Sequence, residues 1–331
     1  MSTSPSHSNA DLQTPPLPIQ RRAPRIWTVF VAIAAGLAVT VALQTIVVIA
    51  LVAWGAAQGR PPDEIVKELP DFTGAPGGFI LLALCGQIGF GLAAIVPALL
   101  PPVALRQRLG LVAARPSWIV YPVTMLGSIA PLGVGLGMAQ MVAKVMPNAG
   151  DPNAAKLFQN MTPAWGVVFV LFIALAPGFC EELLFRGYVQ RRLLARWRPL
   201  VAISVTSLLF AMMHIMPAAV LATLPLGFWL GIVAWRTGSI GPSIACHAFV
   251  NGSLNTLRMF FKFVELPESV RWVITAASLL IGTACFIMSC RLLWRLDAGP
   301  DVVSSSAEAL EAKLETPLGS VTATPDIAPL A

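Results

Sequence analysis

The stretch APGFCEELLFRGYVQRR, residues 176–192, puts Glu181, Glu182 and Arg186 at the end of a long apolar run. Ionised side chains in such surroundings are costly unless they are paired or put to use. Glu182 and Arg186 are four apart, hence neighbours on one helical face and a natural ion pair. Glu181 points about 100° away around the helix. One carboxylate can therefore be neutralised by Arg186 while the other is left to react. A second polar island, FAMMH, sets Phe210 and His214 on one face, and a third, HAFVN, does the same for His247 and Asn251. The chain has three histidines, and the remaining one, His7, lies in the polar N-terminal segment.

Each island alone has a structural explanation. The charges could form a buried network that orders helices, or mark a route for ions or protons. His214 could be a packed ring held by Phe210, and His247 with Asn251 an interhelical hydrogen-bond pair. Taken together, two histidines, a free carboxylate and an amide on three helices make a plausible set for hydrolysis.

The elements that must position these residues are membrane helices. The chain of 331 residues is 56% hydrophobic and 11% charged, against roughly 25% charged in soluble domains. Crossing a bilayer as a helix takes about 20 apolar residues, and helices satisfy their own backbone in lipid. Eight segments qualify as candidates, 26–54, 78–105, 118–146, 163–188, 200–216, 218–235, 239–261 and 272–293. The fifth and sixth are short and flank the tight turn IMPA, so they read as one broken hairpin. The predicted fold class is an all-α, polytopic membrane helix bundle with about eight transmembrane helices. Residues 1–25 and 297–331 are predicted disordered cytoplasmic tails around a membrane domain at 26–296, with its motif-bearing core at 163–262. The first apolar stretch is too long for a signal-peptide core and reads as an anchor.

An even number of spans puts both termini on one side. That side carries 15 of the 22 Lys and Arg, the other side the remaining seven, mixed with Asp63, Glu64, Glu68 and Asp71. The bias predicts cytoplasmic termini, here in a bacterial inner membrane. The net charge of +6 forms no basic patch with interleaved aromatics, so nucleic acid is not an expected partner. The five cysteines show no CxxC pair, which argues against a disulfide framework or a thiolate zinc site. Cys180 and Cys246 adjoin Glu181 and His247, but apolar surroundings make a thiol inert.

EELLFRG, FAMMH and TGSIGPSIACHAFVN resemble the three motifs of the CPBP family of intramembrane proteases, which includes CAAX prenyl proteases and bacteriocin-processing proteins. Every position of the pattern Glu-Glu-x-x-x-Arg, Phe-x-x-x-His, His-x-x-x-Asn is filled. The resemblance implies an intramembrane endopeptidase acting on a membrane-associated protein or peptide, prenylated CAAX substrates being the eukaryotic precedent. It implies that Glu181 and His214 hold and activate a water with Glu181 as general base. His247 and Asn251 would donate to the oxyanion, and Glu182, Arg186 and Phe210 would support them. The metal-free version is favoured. In the metalloendopeptidase version, Glu181, His214 and His247 would bind zinc with water in the fourth position. The rival readings are a non-enzymatic scaffold or bacteriocin-immunity partner and a proton-coupled transporter.

The helices pose one geometric difficulty. Counted at about 1.5 Å per residue from the cytoplasmic ends, Glu181 lies about 15 Å deep, His214 about 20 Å and His247 about 8 Å. Tilt, stagger or a longer cytoplasmic start to the seventh helix must close the gap, and Pro122, Pro131, Gly133, Gly135 and Gly137 in the third span could supply irregular packing. Residues 191–198 read as an interfacial helix beneath a pocket open to the cytoplasm.

Overall fold

The computed structural model describes residues 24–100, 104–115, 118–146 and 152–296. The predicted tails lie outside these residues, apart from Pro24 and Arg25. In chain order the helices are α1 (Trp27–Ala57), α2 (Pro62–Lys67), α3 (Leu69–Gly74), α4 (Pro76–Leu99), α5 (Leu105–Arg108), α6 (Val120–Gly127), α7 (Ile129–Val145), α8 (Pro152–Gln159) and α9 (Pro163–Glu182). A π-helix, Leu183–Gln190, continues α9 and is followed by α10 (Arg191–Leu194), α11 (Pro199–Met212), α12 (Pro217–Thr237), α13 (Gly241–Phe263) and α14 (Glu268–Trp294). Among the described residues there is no strand. The protein is a polytopic helical membrane bundle.

Among the described residues, six helical stretches are long and apolar enough to span a membrane: α1, α4, α6 with α7, α9 through to Leu194, α12 and α14. The other two expected spans are also helices. At 14 residues, α11 reaches only about 21 Å, short of the roughly 30 Å of a hydrocarbon core. At 23 residues α13 is long enough, but His247, Asn251, Asn255, Arg258 and Lys262 dilute its apolar character.

Proline and glycine set many of the boundaries. Proline occupies the first or second helical position of α4, α9, α11, α12 and α13, where its missing N–H is no loss. Gly238, left-handed at φ 68°, ends α12. The third expected span is broken at Ser128 into α6 and α7. Pro131 has no N–H for the carbonyl of Gly127, which weakens the ladder there. Trp229 Nε1 donates to Ser128 Oγ across 3.0 Å, tying α12 to the break. The turn 213–216 joins α11 and α12 as an antiparallel hairpin.

The core is built around the π-helix, all eight residues of which are buried. Long helices such as α1 and α14 leave large apolar side chains uncovered, Ile46 and Leu280 among them, as lipid-facing helices do. The interfacial helix expected at 191–198 is not formed, because helix ends at Leu194. Its arginines clamp α5 and the segment before α1 instead. Arg191 Nη2 donates to Gln107 O at 3.2 Å, and Arg196 Nε to Pro24 O at 3.2 Å.

Candidate active site

The site rests on the antiparallel contact of α9 with α13. A Cβ on Gly178 would lie 3.1 Å from the backbone N of Ala248, and one on Gly252 would lie 3.3 Å from Ala174 Cβ. Small residues thus let the two backbones approach, as membrane helix pairs require. Glu181 and Glu182 follow Gly178 by one turn, and His247 precedes Ala248. The close approach therefore brings both carboxylates to the histidine.

The apparent mismatch of depths has a local cause. The helix ends are not level. Ile240, at the start of α13, sits against Gly187, where a Cβ would be 3.5 Å from Ile240 Cδ1 and 2.9 Å from Leu109 O. Ile240 N also donates to Gly110 O at 3.0 Å. The 104–115 loop thus tucks under the π-helix and starts α13 beside Gly187, well inside the end of α10. Glu181 lies six residues from Gly187 and His247 seven from Ile240, so the two meet.

Glu182 and Arg186 form a fully buried ion pair, Nη1 to Oε1 at 2.6 Å. The same Oε1 lies 3.0 Å from His247 Nδ1. Arg186 also donates through Nη2 to Gly227 O at 2.8 Å and lies 4.5 Å over the Phe210 ring. One turn on, Gln190 Nε2 donates to Gly231 O at 2.9 Å. Arg186 and Gln190 therefore clamp the π-helix to α12 where glycines leave carbonyls accessible. Glu182 Oε2 and Arg186 Nε are buried and have no partner.

Glu181 faces different groups. Its Oε2 is 3.9 Å from His247 Nε2, and its Oε1 accepts from Gln87 Nε2 on α4 at 3.1 Å. His247 is thus held at Nδ1 by one glutamate while its Nε2 faces the other. A single water could lie about 2.8 Å from both Glu181 Oε2 and His247 Nε2.

Phe210 is the hub of the aromatic side. Its ring meets Phe185, His214 and His247 edge-on, with centroids 5.3, 5.4 and 5.8 Å away. His214 is half-buried and Nδ1 is 3.4 Å from Phe210 O, so it reaches the cluster through the Phe210 ring. It precedes a strained turn. Met216 N donates to His214 O at 2.6 Å across Ile215, whose φ is 60°. A β-branched residue adopts that backbone only under constraint.

Asn251 lies one turn beyond His247 and is bound at its amide. Nδ2 donates to Ile173 O at 3.1 Å. Pro177, inside α9, has no N–H, so Ile173 loses its partner four residues on. Asn251 satisfies the carbonyl that the proline frees. An amide NH₂ carries a second hydrogen.

Among the described residues, no three His, Cys, Asp or Glu side chains converge on one metal position. The Glu181, His214 and His247 arrangement does not fit zinc as it stands. A separate cavity of about 520 Å³, lined by Phe158, Arg258, Met259, Phe261 and Lys262 among others, lies near the other end of α13. Gln87 and Gln190 escape a search confined to titratable groups. The signal for Gln87 is a lone amide in the apolar run CGQIGFG, since a buried amide there requires a partner.

Residues 163–253 match the family model for the type II CAAX prenyl endopeptidase, Rce1-like. This segment resembles an Rce1-like endopeptidase domain, consistent with the CPBP family of intramembrane proteases. No curated protein and no solved structure gives a significant match to the chain. All seven motif residues fall inside the Rce1-like segment, whereas Gln87 lies outside it. The match and the apolar helices together support an integral membrane protease that acts on a membrane-associated protein.

Proposed function

We propose that this protein is a glutamate-type intramembrane endopeptidase that cleaves near the C-terminus of prenylated, CAAX-type proteins or peptides. The observation that carries this reading is the line Arg186–Glu182–His247–Glu181. It pins one face of the imidazole and turns the other toward a second carboxylate. Glu181 takes a proton from water while the water oxygen attacks the scissile carbonyl. His214, the other histidine against Phe210, helps to hold that water.

As the tetrahedral intermediate forms, His247, doubly protonated throughout between Glu181 and Glu182, donates through Nε2–H and Asn251 through its second amide hydrogen to the oxyanion. His247 Nδ1–H meanwhile stays on Glu182. Collapse breaks the C–N bond, and Glu181 returns its proton to the leaving amine. The attacking and leaving groups therefore share one proton carrier.

The test is cleavage of a fluorogenic farnesylated CAAX peptide by the purified protein in lipid. Glu181→Ala should lower kcat about 10²–10⁴-fold, and His247→Ala about 10²–10³-fold. A membrane-permeant chelator should leave the rate within about two-fold, because the donor set offers no three-ligand site. Wild-type cleavage by Glu181→Ala would sink the reading. Unchanged biological activity in that variant with no cleavage at all would point to a scaffold.

A further inference from the structure

The second span supplies a group that the matched segment lacks. Gln87 is 7% exposed on α4. Its Nε2 holds Glu181 Oε1 at 3.1 Å, and its own Oε1 is buried with no partner. The orientation of the amide follows from chemistry, because an ionised carboxylate only accepts hydrogen bonds, so the NH₂ must face Glu181. The free carbonyl is then left beside the carboxylate. A buried acceptor without a partner is costly, more so where no bulk solvent can reach it.

The placement is enforced from both sides of α4. A Cβ on Gly89 would lie 2.3 Å from Thr40 Oγ1 and 2.6 Å from Gly36 O, so α1 presses directly on this helix. One turn from Gln87, the Cβ position of Gly91 is 3.8 Å from Cys180 Sγ. The face carrying Gln87 and Gly91 therefore lies on the face of α9 carrying Glu181 and Cys180.

We propose that Gln87 completes the water site. Its Nε2 fixes Glu181 so that Oε2 faces His247, and its Oε1 accepts the hydrogen of the hydrolytic water that Glu181 does not take. This inference rests on the general-base role of Glu181. Water brings two hydrogens, and only one is transferred. An acceptor for the other fixes the direction of the attacking lone pair, and orientation of this kind carries much of the rate. After transfer, the nucleophile keeps that hydrogen on Gln87 while its oxygen bonds to carbon, so the step needs no further proton acceptor.

The experiment compares Q87L, Q87E and E181Q with wild type in the same farnesylated-peptide assay. Q87L should lose about 10–100-fold in kcat, as displacement of a reacting group does, with KM within about two-fold. Q87E, when protonated, again offers one donor and one acceptor. It should be active at low pH and lose activity as it ionises, giving an alkaline limb absent from wild type and Q87L. Among the described residues, the titratable groups facing this position are Glu181 and Cys180 on α9 and, behind Glu181, His247 on α13 and Arg186 on the π-helix, while α1 contributes none.

A second arm needs no substrate. The carboxylate infrared band lost in E181Q should shift in Q87L. Thermal unfolding checks each variant, and if Q87L does not fold, Q87N, which withdraws the amide by one methylene, takes its place in both arms. An unmoved band overturns the proposal. So does wild-type kcat in Q87L, or an equal loss in Q87E with no new limb, which would mark packing alone. If E181Q cleaves like wild type, the general base itself is wrong and the water-holding role falls with it, whereas a dead E181Q with a normal Q87L sinks only the assignment of Gln87.

Discussion

At the scale of single residues, the Glu182–Arg186 pair separates holding the fold from doing chemistry. Both side chains are completely buried, and removing one partner of such a pair leaves the other charge stranded. Arg186→Met should cost about 3–5 kcal/mol, read as unfolding free energy in mixed micelles. Adding Glu182→Gln removes the stranded charge and should restore most of that loss. It should not restore cleavage, since the anion that holds His247 Nδ1 is gone. A double variant as unstable as the single one would mean that the carboxylate has other support. The spacing in the sequence made this pair, and the separate direction of Glu181, readable. Gln87 was not readable in the same way, because nothing in CGQIGFG says which helix its amide will meet.

At the scale of elements, the informative feature is the proline inside α9. Pro177 leaves Ile173 O open and Asn251 fills it, so two residues 74 apart share one hydrogen bond's worth of stability. Asn251→Ala should cost about 1–3 kcal/mol, the usual penalty for an unsatisfied buried group. In a Pro177→Ala background the restored N–H serves Ile173, and the same Asn251 substitution should then cost less than about 1 kcal/mol. Equal costs in both backgrounds would show that the Ile173 bond carries no energy. Gly178→Ala should also act through the elements. Its methyl would press on backbone at Ala248, which cannot yield like a side chain, so α9 and α13 must part. Stability should fall by about 1–3 kcal/mol, and cleavage should fall further than stability, because Glu181 and His247 separate. The order of the long apolar helices followed from apolar length, although six of the eight expected spans prove long and apolar enough to cross a membrane among the described residues. Their relative heights did not, because hydropathy records how long a helix is and not where its neighbour begins. Leu109 and Gly110 under Gly187 decide that, and so does the π-helical stretch, whose i→i+5 bonding no residue pattern here announces.

At the scale of the whole molecule, the open quantity is orientation, and the charges argue for one answer. Of the 22 Lys and Arg, 14 belong to the termini, helix ends and loops on one side. Arg191 and Arg196 lie there against the Gln107 and Pro24 carbonyls, while α2 and α3, on the other side, carry Asp63, Glu64 and Asp71. Positive loops stay in the cytoplasm, so the predicted orientation would make Gly187, Leu109 and Ile240 a cytoplasmic floor, with Glu181 above it by roughly 9 Å of helix. A prenylated chain end would then enter laterally from the inner leaflet, its lipid among the spans and its scissile bond lifted toward Glu181. The arrangement is checked by epitope tags. A tag inserted after Gly59, an exposed turn with positive φ, should bind antibody in intact spheroplasts, and tags at either terminus only after permeabilisation. The reverse pattern would put the floor outside. The site would then open toward the external face, and the substrate would have to be sought among exported lipoproteins rather than cytoplasmic prenylated chains.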